Sequence, residues 1–558
     1  MPRGRDLLFD ALEQQQIEFL FGNPGTTELP LIDGCNDHAS VRYVMALHED
    51  IALGMAMGYA RASGKVGVVN VHVAPGLGHA LGNLYNAWRA RIPLLVTAGQ
   101  QHTRLQLQEP ILTGDLVGMA RPFTKWAYEV RFAEELPIAL QRAFKEALTP
   151  PAGPVFLSLP SDIMLDETSQ CLPPLRQFGT ATRGDDSELA RGAALLAAAD
   201  SPLIVAGDGV GLSDAWPELI ALAERLGAPV VTEAFPSVWN FPNQHPHWQG
   251  IMPDSAGAFR ELFAEVDVAL LCGFSSQAPL AVFDAGGPLI PTHVQLVGLS
   301  DNPWELGKNE PLSAGVLGDV KLNASALLSA LRATSQPRTA QSAANRRRAA
   351  MAERAKERSA TWAQRASDAR QDASLSATAV AAELAEVMPK DAVFCDETVS
   401  NRPPFVNLLA FESPLSYWAG KGGGLGYSMP GALGMRLARP DRTIVTGIGD
   451  GAFLYYPQTL WTAAKLELGS VVFLVLNNSS YRVLKLGTQR MGGPWSASGA
   501  FPPGLDIEGP AVDLSATARA MGVAAERVER PSDLRPALER AFGSGRPYVL
   551  DIAVERAV

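Results

Sequence analysis

Only four cysteines occur in 558 residues, Cys35, Cys171, Cys272 and Cys395, and none has a CxxC neighbour. That argues against a disulfide scaffold or a zinc site and suits a reduced, cytoplasmic protein. Long apolar runs are also missing: none approaches the ~18 residues that cross a bilayer. The opening stretch MPRGRDLLFDALEQQQIEFLFG lacks the continuous apolar centre of a signal peptide, so a soluble intracellular protein is expected. Basic charge is in deficit, with 47 Lys and Arg against 58 Asp and Glu and a net charge of −11. That balance argues against nucleic acid or an anionic membrane as the main partner. There is no short-period repeat.

What is present is a chain with 47% hydrophobic and 19% charged residues, the balance of a well-buried globular protein. Its length suits roughly three domains at ~150 residues each. Strand-like apolar runs alternate with helix-like stretches throughout, which predicts an α/β fold of three doubly wound parallel-sheet domains. The first block, residues 1–180, holds IEFLFG, VRYVMAL, KVGVVNVHV, IPLLVTAG and PVFLSLP. After a polar break, residues 188–333 form a middle block with SPLIVAGDGVG, APVVTEAF, VDVALLCGF and THVQLVGLS. Residues 334–372 read as an exposed linker with a mixed-charge helix, and residues 373–558 form the third block.

One stretch of the third block combines two polar ends. GDGAFLYYPQTLWTAAKLELGSVVFLVLNN runs from Gly449 to Asn478, with a glycine turn at one end and paired amides at the other. A strand–helix–strand excursion returns both ends to the same sheet edge, where ligands bind in such folds. Asp450 offers a carboxylate, Asn478 a side-chain carbonyl and Ser480 a backbone carbonyl, the hard oxygens that Mg2+ or Ca2+ takes. Gly449 and Gly451 allow a close turn, and a helix starting after it would present free N–H groups to a diphosphate. A second motif, AGDGVG at Gly207–Gly211, has no closing asparagine pair and reads as a plain turn.

The GDG–NN pairing resembles the thiamine diphosphate signature. GNPGTTELP (Gly22–Pro30), ALHEDIALGMAMGYARASG (Ala46–Gly64), TAGQQ (Thr97–Gln101) and GGGLGYSMPGALG (Gly422–Gly434) are similar to segments of benzoylformate decarboxylases. These matches fall in the first and third blocks, in the family's order. The middle block is similar only in its α/β pattern.

The resemblance implies a pyrimidine-binding first domain, a middle domain and a diphosphate-binding third domain. It implies thiamine diphosphate and Mg2+ (or Ca2+) as cofactors, without FAD. Glu49 matches the family's glutamate, which bonds the cofactor's pyrimidine ring and favours its imino form. Leu425 falls on the aliphatic wedge that bends the cofactor, with Gly424 beside it. Asn23, Pro24, Gly25, Thr398, Ser400, Gly449, Asp450, Gly451, Ala452, Asn478, Ser480 and Tyr481 fall on expected cofactor contacts. Thr26 and His72 look like the polar pair that faces the substrate, with His72 as the general acid or base. His48 is expected at a helix start, and His79 as a packing or capping residue.

One departure matters. Family members carry a second catalytic histidine in the middle domain, and LLCGFSSQAPLAVFDAGG contains none. Leu280 falls near its place and Gln277 offers a polar group. Val483 and Leu484 are expected to line an apolar substrate pocket. The implied reaction is non-oxidative decarboxylation of an aromatic or bulky 2-oxo acid to an aldehyde. Carboligation of the acetolactate synthase or benzaldehyde lyase type is the alternative, and a catalytically silent cofactor-binding paralogue stands behind both. The family also implies a site shared between subunits, hence a homodimer at least and a homotetramer by extension.

Overall fold

Runs of Val, Leu and Ile with no polar alternation build strands buried on both faces, and among the described residues such strands, with shorter and more polar ones at the sheet margins, form three parallel sheets of six. The computed structural model describes residues 1–176, 178–275, 287–334 and 338–556. In the first sheet the strands are β1 (Phe19–Gly22), β2 (Arg42–Met45), β3 (Gly67–Val71), β4 (Leu94–Gln100), β5 (Ala127–Glu129) and β6 (Pro154–Pro160), in the order β2-β1-β3-β4-β6-β5. The second contains β7 (Pro202–Ala206), β8 (Val230–Thr232), β9 (Trp248–Ile251), β10 (Val268–Cys272), β11 (Gln295–Ser300) and β12 (Ala314–Leu317), in the order β12-β11-β10-β7-β8-β9. In the third, β13 (Val393–Glu397), β14 (Tyr417–Ala419), β15 (Ile444–Gly449), β16 (Val471–Asn477), β17 (Ala524–Val528) and β18 (Tyr548–Ala553) follow the order β14-β13-β15-β16-β18-β17. The expected α/β architecture of three parallel sheets is therefore present. The strands β5, β9, β12, β14 and β17 have no counterpart among the runs read from the sequence, because each is short and lies at a sheet margin.

Each sheet has a point where the chain reverses its direction of winding, and these points face ligands in doubly wound folds. In the first sheet it lies between β1 and β3, in the second between β7 and β10, in the third between β13 and β15. Loops leaving the C-terminal ends of these strands carry most of the candidate site residues.

Two helices fasten the first and third units together. The helix Glu49–Ser63 is buried on all sides through Ala60, and it crosses the helix Ser428–Ala438 with almost no side chain between them. A Cβ placed on Gly58 would stand 1.9 Å from the Gly431 carbonyl oxygen, and one on Gly434 would stand 1.9 Å from that of Met55. The first unit also grips the middle one through Arg91, whose guanidinium donates to Asp301 at 2.7 Å.

Residues Arg338–Gln371 form one helix of 34 residues. It is not only a spacer. Arg347 donates to the main-chain carbonyls of Asp200, Leu226 and Gly227 in the middle unit, and Arg370 pairs with Glu383 and Glu386 in the third. Among the described residues, no helix is long and apolar enough to cross a membrane.

Candidate active site

At the first sheet's edge, three strand ends deliver acid and imidazole groups to one place. Glu49 opens its helix directly after β2, and His48 caps that helix by accepting from the Asp50 N–H at 3.1 Å. Burial lowers the His48 pKa against the pull of Glu49. Glu49 is buried, and its Oε2 lies 3.0 Å from Nδ1 of His79. His79 packs, as the sequence suggested, with its ring stacked on that of His48 at 5.1 Å, and its half-exposed side chain also reaches from the helix Val73–Arg89 to hold the glutamate.

His72 follows β3. Its Nδ1 lies 2.7 Å from Glu28 Oε2 and 3.3 Å from Thr27 Oγ1. Glu28 is fully buried and also accepts from Thr27 Oγ1 at 2.8 Å and the Gly99 N–H at 3.0 Å. Burial raises its pKa against these donors. Gly25 is required here, because a Cβ on it would lie 2.0 Å from the imidazole Nδ1. Thr26 stands exposed one residue before Thr27, so the hydroxyl beside His72 is that of Thr27. Asn23 and Pro24 form the loop between β1 and this turn. Gly76 sits between the two clusters: a Cβ there would be 2.9 Å from Glu49 Oε1 and 3.2 Å from the His72 Cβ. Glu49 and His72 are therefore near neighbours.

The third sheet's edge carries the other group. Strands β15 and β16 pair with Gly449 opposite Leu476, so the two polar ends of the GDG–NN stretch emerge side by side. The backbone N–H groups of Gly451, Asn478, Ser479 and Ser480 all act on the Asp450 carboxylate, which burial nonetheless pushes up. Asn478 and Ser480 are both buried, and Asn478 Oδ1 accepts from the Ser480 N–H at 3.0 Å. The Tyr481 ring lies over Gly451, where a Cβ would meet it at 2.7 Å, and Ala452 is buried in the same turn. The helix expected after the turn is broken into Asp450–Phe453 and Thr459–Lys465. Pro457, lacking an N–H, stands in the gap.

These residues fit a divalent cation. Asp450 Oδ2 is buried and has no hydrogen-bond partner among the described residues, while Oδ1 accepts from Gly451 at 2.8 Å. Buried carboxylate oxygens are nearly always satisfied, and an oxygen left open in this way is of the kind a cation takes. The Gly449 position opens onto free space, with nothing within 4 Å of a Cβ built there. Thr398 is buried and turns its hydroxyl onto Asp396 at 2.7 Å, with Ser400 half-buried two residues on.

The glycine-rich loop joins both edges. Gly424 exchanges two hydrogen bonds with the Asn86 side chain, at 3.0 and 3.1 Å, and Leu425 packs partly buried beside it. Glu397 at the end of β13 accepts from the N–H groups of Gly426 and Ser428, and burial pushes it up to about 7. Asp50 accepts from Tyr456 Oη at 2.6 Å and from the Asn83 N–H at 2.9 Å, and burial pushes it up to about 6. Val483 and Leu484 are 45% and 51% exposed on the helix Arg482–Met491, so neither is a core residue. Gln277 and Leu280 lie outside the described residues.

Sequence reasoning passed over Glu28, Thr27, Asn86 and the role of His79. Glu28 and His72 are 44 residues apart, and only the sheet order places β1 beside β3.

Comparison with known proteins agrees with this layout. Residues 2–119 match the thiamine pyrophosphate enzyme N-terminal TPP binding domain, 189–331 the central domain and 404–552 the C-terminal TPP binding domain. A benzoylformate decarboxylase from Pseudomonas aeruginosa is 30% identical over 98% of each chain. A probable acetolactate synthase large subunit from Methanocaldococcus jannaschii is 26% identical over all of this chain and 92% of its own. The crystal structure of benzoylformate decarboxylase from Polynucleobacter necessarius superposes with a TM-score of 0.87 at 27% identity, covering 100% of this chain and 99% of that one. The chain therefore belongs to the thiamine-diphosphate-dependent enzymes, in the branch that includes benzoylformate decarboxylases and acetolactate synthases.

Proposed function

We propose that this enzyme decarboxylates an aromatic or bulky 2-oxo acid to an aldehyde and CO2. The observation that carries the reading is the adjacency of Glu49 and His72 across Gly76, which sets a proton acceptor beside an oriented imidazole. Thiamine diphosphate, when bound, supplies a nucleophilic carbon and an electron sink for the bond to CO2. Glu49 presents Oε1 as the acceptor, without a hydrogen bond among the described residues, while His79 fixes Oε2. His72 is anchored through Nδ1 by Glu28, which leaves Nε2 as the atom that passes a proton to or from the substrate. Asp450, Asn478 and the Ser480 main-chain carbonyl would hold Mg2+ or Ca2+, and through it the diphosphate. Val483 and Leu484 supply apolar surface for an aromatic or bulky side chain.

A second reading, carboligation, is favoured by the lack of a histidine in the middle-domain stretch LLCGFSSQAPLAVFDAGG. With fewer proton donors supplied by this chain, protonation competes less well with addition of a second carbonyl compound. The assembly is read as a homodimer at least, with a tetramer built from it. Leu107 and Ile111, 95% and 82% exposed, offer the apolar surface that a partner copy would cover. The four unpaired cysteines support a reducing, cytoplasmic location.

The test is CO2 release and aldehyde formation over a panel of aromatic and aliphatic 2-oxo acids, with and without an added acceptor aldehyde. Decarboxylase activity predicts aldehyde in both conditions, carboligation a hydroxyketone only with the acceptor. Glu49→Gln is expected to keep cofactor and metal binding and to lose most turnover. Unchanged turnover would sink the assignment of Glu49.

A further inference from the structure

The loop from Gly420 to Gly426, GKGGGLG, has glycine at five of its seven positions. Gly423 and Gly426 adopt φ of 85° and 87°, and such a segment loses more backbone entropy on being fixed than any other composition. Its conformation therefore depends on anchors. Asn86 of the first unit holds Gly424, and Glu397 of the third holds Gly426.

The remaining anchor comes from the middle unit. Lys421 is buried with its ammonium 2.7 Å from Asp208 Oδ2 and hydrogen-bonded to Glu233 Oε1 as well. Both acids are buried, Asp208 at the end of β7 and Glu233 just after β8. Asp208 also accepts from the Ser237 N–H at 2.9 Å and its hydroxyl at 2.6 Å. Glu233 accepts from the N–H groups of Asp208 at 3.0 Å and Ser275 at 3.2 Å. So AGDGVG is not a plain turn: its aspartate opens the middle sheet's ligand-facing edge, and a lysine from another domain fills that place. The attachment extends along the chain, because the Ala419 N–H donates to the Ser237 carbonyl at 3.1 Å.

We propose that Lys421 is a positioning residue, through which the middle domain holds the glycine-rich loop in the shape that presents Leu425 to the cofactor. This rests on the reading of Leu425 as a cofactor contact. Breaking a buried ion pair from one side leaves an uncompensated charge, whereas removing both charges is tolerated far better. Lys421→Met combined with Asp208→Asn therefore isolates the loss of the anchor from the cost of an orphaned carboxylate.

The measurement is calorimetric affinity for thiamine diphosphate with Mg2+, alongside thermal unfolding of the cofactor-free protein. Lys421→Met/Asp208→Asn is expected to weaken cofactor binding by about 10-fold or more, with cofactor-free unfolding little changed. Lys421→Arg, which keeps the charge, should recover part of the loss. Cofactor affinity within about twofold of the parent in the double variant overturns the proposal. If that variant does not fold, Asp208→Ala decides, since it removes one carboxylate from the lysine while Glu233 keeps it paired; cofactor affinity within about twofold of the parent there overturns the proposal as well. Leu425→Ala is the control for the underlying reading: if it leaves cofactor affinity and turnover intact, that reading fails independently of Lys421.

Discussion

Glu28 Oε2 and His72 Nδ1 lie 2.7 Å apart, the carboxylate fully buried and the imidazole partly open. A buried acid beside one ring nitrogen fixes which tautomer the ring adopts and where its other nitrogen points. Replacing Glu28 by Gln keeps the shape and removes the charge. Turnover in Glu28→Gln should fall by at least about tenfold, and in His72→Ala by about 100-fold or more, the range expected for a general acid–base group. Steady-state CO2 release measures both. A kcat for His72→Ala equal to the parent's would remove the imidazole from the chemistry.

The orphaned Oδ2 of Asp450 predicts a specific metal dependence. Chelation should release the cofactor, and added Mg2+ or Ca2+ should restore it. Asp450→Asn should lower metal affinity by more than the ~10–100-fold that loss of an outer partner of a metal ligand costs. Equilibrium dialysis with the metal, at fixed thiamine diphosphate, is the direct assay.

Glu233 predicts a pH dependence of stability. Burial and the charge of Asp208 push it up to about 8, from an ordinary value near 4.5. Between these values the folded protein holds a proton that the unfolded chain has released, so stability falls as pH rises across that window. The slope is at most about 1.4 kcal/mol per pH unit for one proton. Denaturant unfolding of Glu233→Gln from pH 5 to 8 should show a shallower decline than the parent. Parallel curves would mean that Glu233 does not change protonation there.

The helix crossing at Gly58 predicts a stability effect remote from any chemistry. Gly58→Ala places a methyl 1.9 Å from a main-chain oxygen that cannot swing away. Overpacking of this kind costs about 1–3 kcal/mol, and here the backbone of two domains must shift. Thermal unfolding should move down, with cofactor affinity falling alongside if the domains separate.

How much was readable beforehand depended on sequence distance. The longer strands announced themselves, because buried parallel strands are uninterrupted apolar runs, and the approach of Asp450 to Asn478 was readable because β15 and β16 are consecutive neighbours in the sheet. Asp450 and Asn478 are joined by a single excursion, so local pattern was enough. Glu28 with His72 required knowing that β1 lies between β2 and β3. Lys421 with Asp208 spans 213 residues and two domains, and nothing near either residue signals the other. His79 was read only in part: packing is expected of a histidine on a helix, and it stacks on His48, while its contact with the Glu49 carboxylate lies across two helices 30 residues apart.

The glycine-to-backbone contact between the helices Glu49–Ser63 and Ser428–Ala438 also constrains how this catalyst can be altered. With Gly58 and Gly434 each leaving no room for a methyl, the first and third units form an inseparable chassis. Exchanging one of them for a relative's counterpart would need matched changes on both helices at once. Val483 and Leu484, proposed above to face the substrate, project from their helix and can be exchanged without disturbing this frame.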